Sequence, residues 1–323
     1  MPRIVIPDDF PAVMAPSRAY RKLIAETAVE YHDSLPGSED GLIERIRGAE
    51  VVLNIRSSCR FTERVFTNCP ELRLLSIWGT GTDNVDLAAA ARHGVTVTNT
   101  PAVSAPSIAE HALTLMLSAA RRIPVLDRNT RNGSWSRGQA VQLSGKTLGI
   151  IGLGAIGRRF AELGRGIGMH VIAWTLHPNP ALGIPLVSFE ELLRTSDVVS
   201  LHLRLSDDTR GMIGRREFEQ MKPGAIFVNT ARGPIVDEAA LIDALASGKL
   251  AAAGLDVFET EPLPAGHPIA KLDNVVLTPH CAGITPEALE AGLELCIQNV
   301  RNFLSGSPTN VVAGPAGRHE SAG

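Results

Sequence analysis

Between Thr147 and Trp174 the chain places a G-x-G-x-x-G turn, Gly152-Leu153-Gly154-Ala155-Ile156-Gly157, after an apolar strand and before a helical stretch, with a second apolar run, His170 to Trp174, behind it. This βαβ context restricts the fold more than any other feature of the sequence. Gly152 permits a tight turn, Gly154 lets a pyrophosphate approach bare backbone, and Gly157 lets the helix pack on the strand. The helix N-terminus adds partial positive charge, so turn and helix together predict a dinucleotide cradle.

The acidic residue that normally accepts from the adenine ribose 2′-hydroxyl at the end of the second strand is missing, and Thr175 stands there instead. Its absence weakens the specific case for NAD. It leaves dinucleotide binding intact, because the pyrophosphate is held by the glycines and the helix end.

Short apolar runs alternate with helical patterns through the first hundred residues: Ile4-Val5-Ile6, Val51 to Ile55, Leu72 to Ile77 and Val95 to Thr98. Helix starts are expected at Thr62-Glu63 and Asp86-Leu87, and such alternation predicts a parallel α/β sheet. A second series begins near Thr147, with strands expected at Leu148 to Ile151, His170 to Trp174, Val198 to Leu203, Ala225 to Asn229, Ala252 to Leu255 and Val275 to Leu277. Six parallel strands behind a glycine turn make a doubly wound nucleotide domain. Long helices are expected at Pro106 to Ala120 and Pro286 to Leu304, and the Gly-, Pro- and Ser-rich sequence after Ser305 reads as a loose tail. The first of these helices is apolar on nearly all sides, which fits either core packing or a second subunit.

A chain of 323 residues is long enough for two domains, and its 44% hydrophobic and 20% charged content is that of a globular protein. A net charge of −3 gives no basic field for nucleic acid. Cys59, Cys69, Cys281 and Cys296 show neither C-x-x-C spacing nor the density of a disulfide framework. Free thiols, no metal and a reducing cytoplasm are expected, and no run approaches the ~18 apolar residues of a membrane span.

Three segments each follow directly on a predicted strand of the second series: Asn229-Thr230-Ala231-Arg232-Gly233, Asp256 to Pro262, and Thr278-Pro279-His280. Ligands of an open α/β sheet bind beyond the carboxyl ends of its strands, so these loops should converge on the cofactor. An Arg, a carboxylate and a His brought together there would make an anion clamp with an oriented acid/base.

With these motifs in place, the chain resembles the D-isomer-specific 2-hydroxyacid dehydrogenase family over nearly its whole length. The likeness is carried by Gly79-Thr80-Gly81-Thr82-Asp83-Asn84-Val85-Asp86, Asn99-Thr100-Pro101 with Ala109-Glu110-His111, the Gly152 to Gly157 turn, and the Arg232, Glu261 and His280 loops. The resemblance implies two doubly wound α/β domains. A Rossmann nucleotide domain, 100–286, would be inserted into a flavodoxin-like substrate domain made of 1–99 and 287–323. It also implies a homodimer, with the Pro106 to Ala120 helix and Gly133-Ser134-Trp135 resembling dimer-contacting elements.

By the same resemblance His280 is the proton donor, Glu261 orients its imidazole, and Arg232 binds the substrate carboxylate. Asp256 is similar to the residue that holds the nicotinamide carboxamide. Further cofactor contacts fall on Thr80, Gly152, Gly154, Ala155, Ile156, Gly157, Thr175, Leu203, Thr230, Ala231 and Gly283, while Arg56, Ser57 and Ser58 match the loop facing the substrate. The reaction implied is hydride transfer between a nicotinamide cofactor and a small 2-oxo or D-2-hydroxy acid, such as glyoxylate or hydroxypyruvate.

The sequence departs from the family pattern at Arg204, where Pro is common, and this residue with Thr175 and His177 removes the negative charge that excludes a 2′-phosphate. NAD(H) is favoured by family prevalence and NADP(H) stays open. Trp78 is expected to border the substrate cleft, favouring small or apolar substituents, or to plug the domain interface. The alternatives are 3-phosphoglycerate dehydrogenase, for whose phosphate only Arg56 and Arg60 are evident nearby, and a nucleotide-sensing corepressor acting through partners. Formate enzymes of the family carry Gln at the position of Glu261, which argues against that activity, and the length predicts no extra regulatory domain.

Overall fold

The structure, a computed structural model, describes residues 2–135 and 137–315. The chain divides into two compact units, Met1–Ser104 with Ile284–Gly323, and Ala105–Gly283.

In the first unit, β1 (Ile4–Ile6), α1 (Arg18–Glu26), β2 (Val29–Tyr31), α2 (Glu39–Ile46), β3 (Val51–Asn54), α3 (Glu63–Asn68), β4 (Leu74–Ile77), α4 (Leu87–Arg92) and β5 (Thr96–Thr98) alternate along the chain. The second unit follows with α5 (Ala105–Arg121), α6 (Ile123–Arg131), β6 (Thr147–Ile151), α7 (Ala155–Gly166), β7 (His170–Trp174), α8 (Phe189–Thr195) and β8 (Val198–Leu201). It is completed by α9 (Arg215–Gln220), β9 (Ala225–Asn229), α10 (Glu238–Ala246), β10 (Leu250–Leu255) and β11 (Val275–Leu277), and α11 (Pro286–Leu304) and β12 (Val311–Ala313) return to the first unit.

The first sheet runs in the order β12-β5-β4-β3-β1-β2 and the second in the order β11-β10-β9-β8-β6-β7. All pairings are parallel except β12 with β5, and the fold is α/β with two doubly wound sheets. The strands are near-continuous apolar runs because both faces of each sheet are covered by helices. Val5, Val52 and Leu75 enter one core of the first unit, while Ile4, Ile6, Val51, Leu53 and Leu74 enter the other, beneath α1 and α11. In the second sheet Val199, Leu201 and Phe227 pack on the side of α8, α9 and α10, and Leu148, Ile150, Ile226 and Val228 on the side of α5 and α7. Helix starts are set by caps: Asp86 accepts from Ala89 N at 2.8 Å, and Ser188 from Glu191 N at 3.1 Å.

Two expectations are corrected. The segment after Ser305 is not a loose tail as far as it is described, since Val311–Ala313 pairs antiparallel with Thr96–Thr98 at the sheet edge; residues 316–323 lie outside the described part. The strand expected over Val198 to Leu203 ends at Leu201, where the chain leaves the ladder to form the ligand-side loop. Trp78 is partly buried and packs against the first unit's core, its indole against α11 so closely that a Cβ on Gly292 would fall 2.1 Å from Nε1. The helix Ala105–Arg121 is a core element of its own unit, with Leu115 pressed on the bare backbone of Gly254 in β10.

Candidate active site

The switch point of the second sheet lies between β6 and β8, and the glycine turn sits over it. Gly152 has φ +99°, and a Cβ there would stand 2.6 Å from the His202 carbonyl oxygen of the neighbouring strand end. Gly157 opens the first turn of α7 so close to the strand that a Cβ would meet Gly152 O at 2.1 Å. Above Gly154 there is open space, with no atom within 4 Å of where a Cβ would be. Ala155 and Ile156 are partly buried in the same turn, and Leu203 borders it, with a side-chain carbon 3.0 Å from the Cβ position of Gly152. His202 is neutral and structural: burial pushes its imidazole down to about 3, and Nε2 lies 2.9 Å from Ser200 Oγ.

At the carboxyl end of β9, Asn229 staples the next loop. Its Oδ1 accepts from Ala231 N at 2.9 Å and its Nδ2 donates to Arg232 O at 3.1 Å. Thr230 is buried with its hydroxyl unpartnered. Arg232 donates Nη1 to Ala231 O at 2.8 Å, and the backbone at Gly233 is so close to Phe258 that a Cβ would overlap its carbonyl at 1.9 Å. This contact sets the Arg232 loop beside the loop that follows β10.

In that second loop Glu261 Oε1 accepts from Phe258 N at 3.0 Å, and Oε2 lies 2.6 Å from His280 Nδ1. Burial pushes the Glu261 carboxyl up, but its bonds to His280 and Phe258 N and the nearby Arg232 charge outweigh this and hold it below the ordinary value. Glu261 and His280 keep 33% and 36% of their side-chain surface exposed, so the pair is reachable by a ligand.

His280 adopts φ +53°, uncommon for a residue with a Cβ, and the turn that carries it is wrapped around Asp256. His280 N donates to Asp256 O at 2.8 Å. The Asp256 carboxylate, 1% exposed, accepts from Thr278 Oγ1 at 2.6 Å, Cys281 N at 3.0 Å and Ala282 N at 2.9 Å, leading directly to the partly buried Gly283. His111 of α5 completes the cluster, with Nε2 2.9 Å from Thr278 Oγ1 and 3.5 Å from Asp256 Oδ1. Burial raises the Asp256 carboxyl, yet these hydrogen bonds prevail and its pKa is lowered. His111, Asp256 and Cys281 bring ligating atoms within 4.8 Å of one another, but both carboxylate oxygens already serve the His280 turn.

At the end of β7 Thr175 is partly buried, and His177 and Arg204 are exposed. In the first unit, Thr80 accepts on its carbonyl from Asn99 Nδ2 at 2.8 Å, Ser57 and Ser58 are exposed, and Arg56 is largely buried. Sequence reasoning assigned no role to His111, Thr278 or Asn229. Their partners are fixed by strand order, and no spacing in the sequence announces them. The residues present fit a dinucleotide on two observations, the open cradle at Gly154 between two close-packed glycines and the orphaned buried hydroxyl of Thr230.

The sequence profile of the D-isomer specific 2-hydroxyacid dehydrogenase NAD binding domain matches residues 113–282. The chain belongs to that family. It is 41% identical over 278 residues to a D-3-phosphoglycerate dehydrogenase of Archaeoglobus fulgidus, covering 84% of this chain and 52% of the relative, so it spans about half the length of that protein. It is 38% identical over 293 residues to a glyoxylate reductase of Korarchaeum cryptofilum, covering 87% of this chain and 88% of the relative. An acyclic imino acid reductase solved in complex with NADPH and D-arginine superposes with a TM-score of 0.88 at 28% identity, over 96% of this chain and 99% of that one. Among the described residues no helix is long and apolar enough to cross a membrane.

Proposed function

We propose that this member of the family is an NAD(P)-dependent reductase that interconverts small 2-oxo acids of the glyoxylate and hydroxypyruvate type with their D-2-hydroxy acids. The observation that carries the reading is the 2.6 Å pair of His280 and Glu261, set beside Arg232 on the ligand edge of the sheet that bears the glycine turn. The nicotinamide cofactor supplies the hydride when bound. Arg232 holds the substrate carboxylate through its planar fork and so fixes the carbonyl carbon for attack. Glu261 occupies Nδ1 of His280, which turns Nε2 toward the carbonyl oxygen, where it donates a proton as negative charge develops. In the oxidative direction the same nitrogen accepts the proton. Asp256 and His111 act behind this pair by holding the turn on which His280 rides.

NAD(H) is the cofactor named by the family's domain description, and Thr175 leaves room for the 2′-phosphate of NADP(H). The reading extends to a cytoplasmic homodimer, on the strength of free thiols at Cys59, Cys69, Cys281 and Cys296 and of apolar Trp135 and Ile123, 78% and 51% exposed. A panel of 2-oxo acids, each offered with NADH and with NADPH and followed by nicotinamide absorbance, tests it. Turnover of glyoxylate or hydroxypyruvate is expected; absence of turnover with every acid and both cofactors refutes it and favours a protein that only binds the nucleotide.

A further inference from the structure

The loop that presents Glu261 is held by a second carboxylate of the same unit. From Glu259 to Gly266 every residue except Leu263 is exposed, and Leu263 packs against the core as a partly buried side chain. Burial therefore does little to fix the place of Glu261, and a stretch with so few apolar contacts is free to shift unless something else ties it down. Glu238, the first residue of α10, does so. Its Oε2 accepts from Glu259 N at 3.3 Å, and its Oε1 lies 3.1 Å from His267 Nε2. His267 Nδ1 accepts from Ile269 N at 3.4 Å at the head of the turn Pro268–Lys271, so Nε2 carries the proton and donates it to Glu238.

One carboxylate thus closes both ends of the stretch 259–267, and it does so from a sheltered position, with the Glu238 side chain 14% exposed and that of His267 20%. Glu238 reaches the loop because the segment after β9 runs beside it. Gly233 is pressed on the Phe258 carbonyl, with Glu259 N 2.5 Å from where a Cβ would stand, and the chain enters α10 shortly afterwards. The other charged groups nearby are occupied or face solvent. Asp237 caps α10, accepting from Ala240 N at 3.0 Å, Asp243 pairs with Arg215 at 2.6 Å, and Glu259 and Lys271 are exposed.

We propose that Glu238, with His267, is a positioning residue for the reaction: it pins the 259–267 loop so that Glu261 stays on His280 Nδ1 and the opposite ring nitrogen stays aimed at the substrate. The bond it protects is the 2.6 Å contact between Glu261 Oε2 and His280 Nδ1, which a shift of about an ångström in the loop would break. Misplacement on that scale at a reacting group costs up to ~10²-fold in rate. The inference rests on the reading of His280 and Glu261 as the proton-transfer pair of a 2-oxo acid reductase.

The test is a double-mutant cycle on the whole enzyme, with thermal unfolding of each variant alongside. Glu238→Ala takes the acceptor from Glu259 N and His267 Nε2, and kcat for a 2-oxo acid is expected to fall by about tenfold to a hundredfold. Made on top of Glu261→Ala, where no carboxylate is left to place, the same substitution should cost less than about twofold. His267→Ala should lose activity as Glu238→Ala does, and His267→Gln, whose amide still donates to Glu238, should recover most of it. Proton NMR gives a readout that needs no substrate: the His280 Nδ1 proton on a carboxylate resonates far downfield, is assigned by its loss in His280→Gln, and should disappear in Glu238→Ala. The proposal is overturned if folded Glu238→Ala keeps the native kcat, if it loses the same factor with and without Glu261, or if the downfield resonance persists unchanged. Where Glu238→Ala does not fold, His267→Ala and His267→Gln decide by the same criteria. Absence of turnover with every 2-oxo acid refutes the functional reading, while the resonance still reports whether Glu238 places Glu261 on His280.

Discussion

Replacing Asp256 by Asn isolates what holds the His280 turn. The carboxylate presents two acceptors, Oδ1 to Thr278 Oγ1 and Cys281 N, and Oδ2 to Ala282 N. An Asn oriented to keep the first two bonds points its NH₂ at the Ala282 N–H, so one charge-assisted bond is lost and two donors face each other in a site that is 1% exposed. A hydrogen bond to a charged group contributes about 1.5–3 kcal/mol and an unsatisfied buried donor costs about 1–3 kcal/mol, so the expected loss is about 2.5–6 kcal/mol. For a unit of this size each kcal/mol lowers Tm by about 2–4 °C, giving a fall of about 5–24 °C. Because the folded-state pKa of Asp256 is lowered, its contribution is complete above the unfolded carboxyl titration near pH ~4 and is lost as pH falls through the folded value. The gap between native and Asp256→Asn proteins therefore narrows in acid. Calorimetry at neutral and acid pH reads both effects, with kcat measured in parallel. A Tm within about 1 °C of native, together with lost cofactor affinity, would show that Asp256 acts as a cofactor ligand only and that the turn is held by other contacts.

Three further outcomes are expected. Thr175→Asp places a carboxylate where a 2′-phosphate would lie, and should lower the NADPH to NADH ratio of kcat/KM by about tenfold; an unchanged ratio means the ribose position is elsewhere. Arg232→Lys keeps the charge and loses the planar fork, so kcat/KM for the 2-oxo acid should drop sharply while the dissociation constant for the cofactor holds, and equal losses in both would identify a cofactor ligand instead. His280→Gln should remove ~10²-fold or more of the rate, and adding Glu261→Gln should cost little beyond that, whereas losses that multiply would show that the two residues do not act as one proton-transfer unit.

The amino-acid sequence by itself determined the α/β class, the strand series apart from the edge strands β2 and β12, and the glycine turn, because each is written in residues close together along the chain. Gly152 and Gly157 are legible for this reason: the clashes they avoid lie within one βαβ unit or with the next strand end. The grouping of Arg232, Glu261 and His280 was legible through the rule that ligands gather at strand carboxyl ends, combined with the family resemblance. The contacts that hold the group were not. His111 reaches Thr278 across 167 residues, and Asp8 reaches Ile55 across 47, and neither spacing carries a periodic or motif signal. The tertiary structure alone decided that Val311–Ala313 completes a sheet, that Trp78 packs against α11, and that the charge of Arg56 is turned inward. Burial and charge compensation depend on which strands become neighbours, and strand order is set by packing both faces of the sheets, a property of the whole chain.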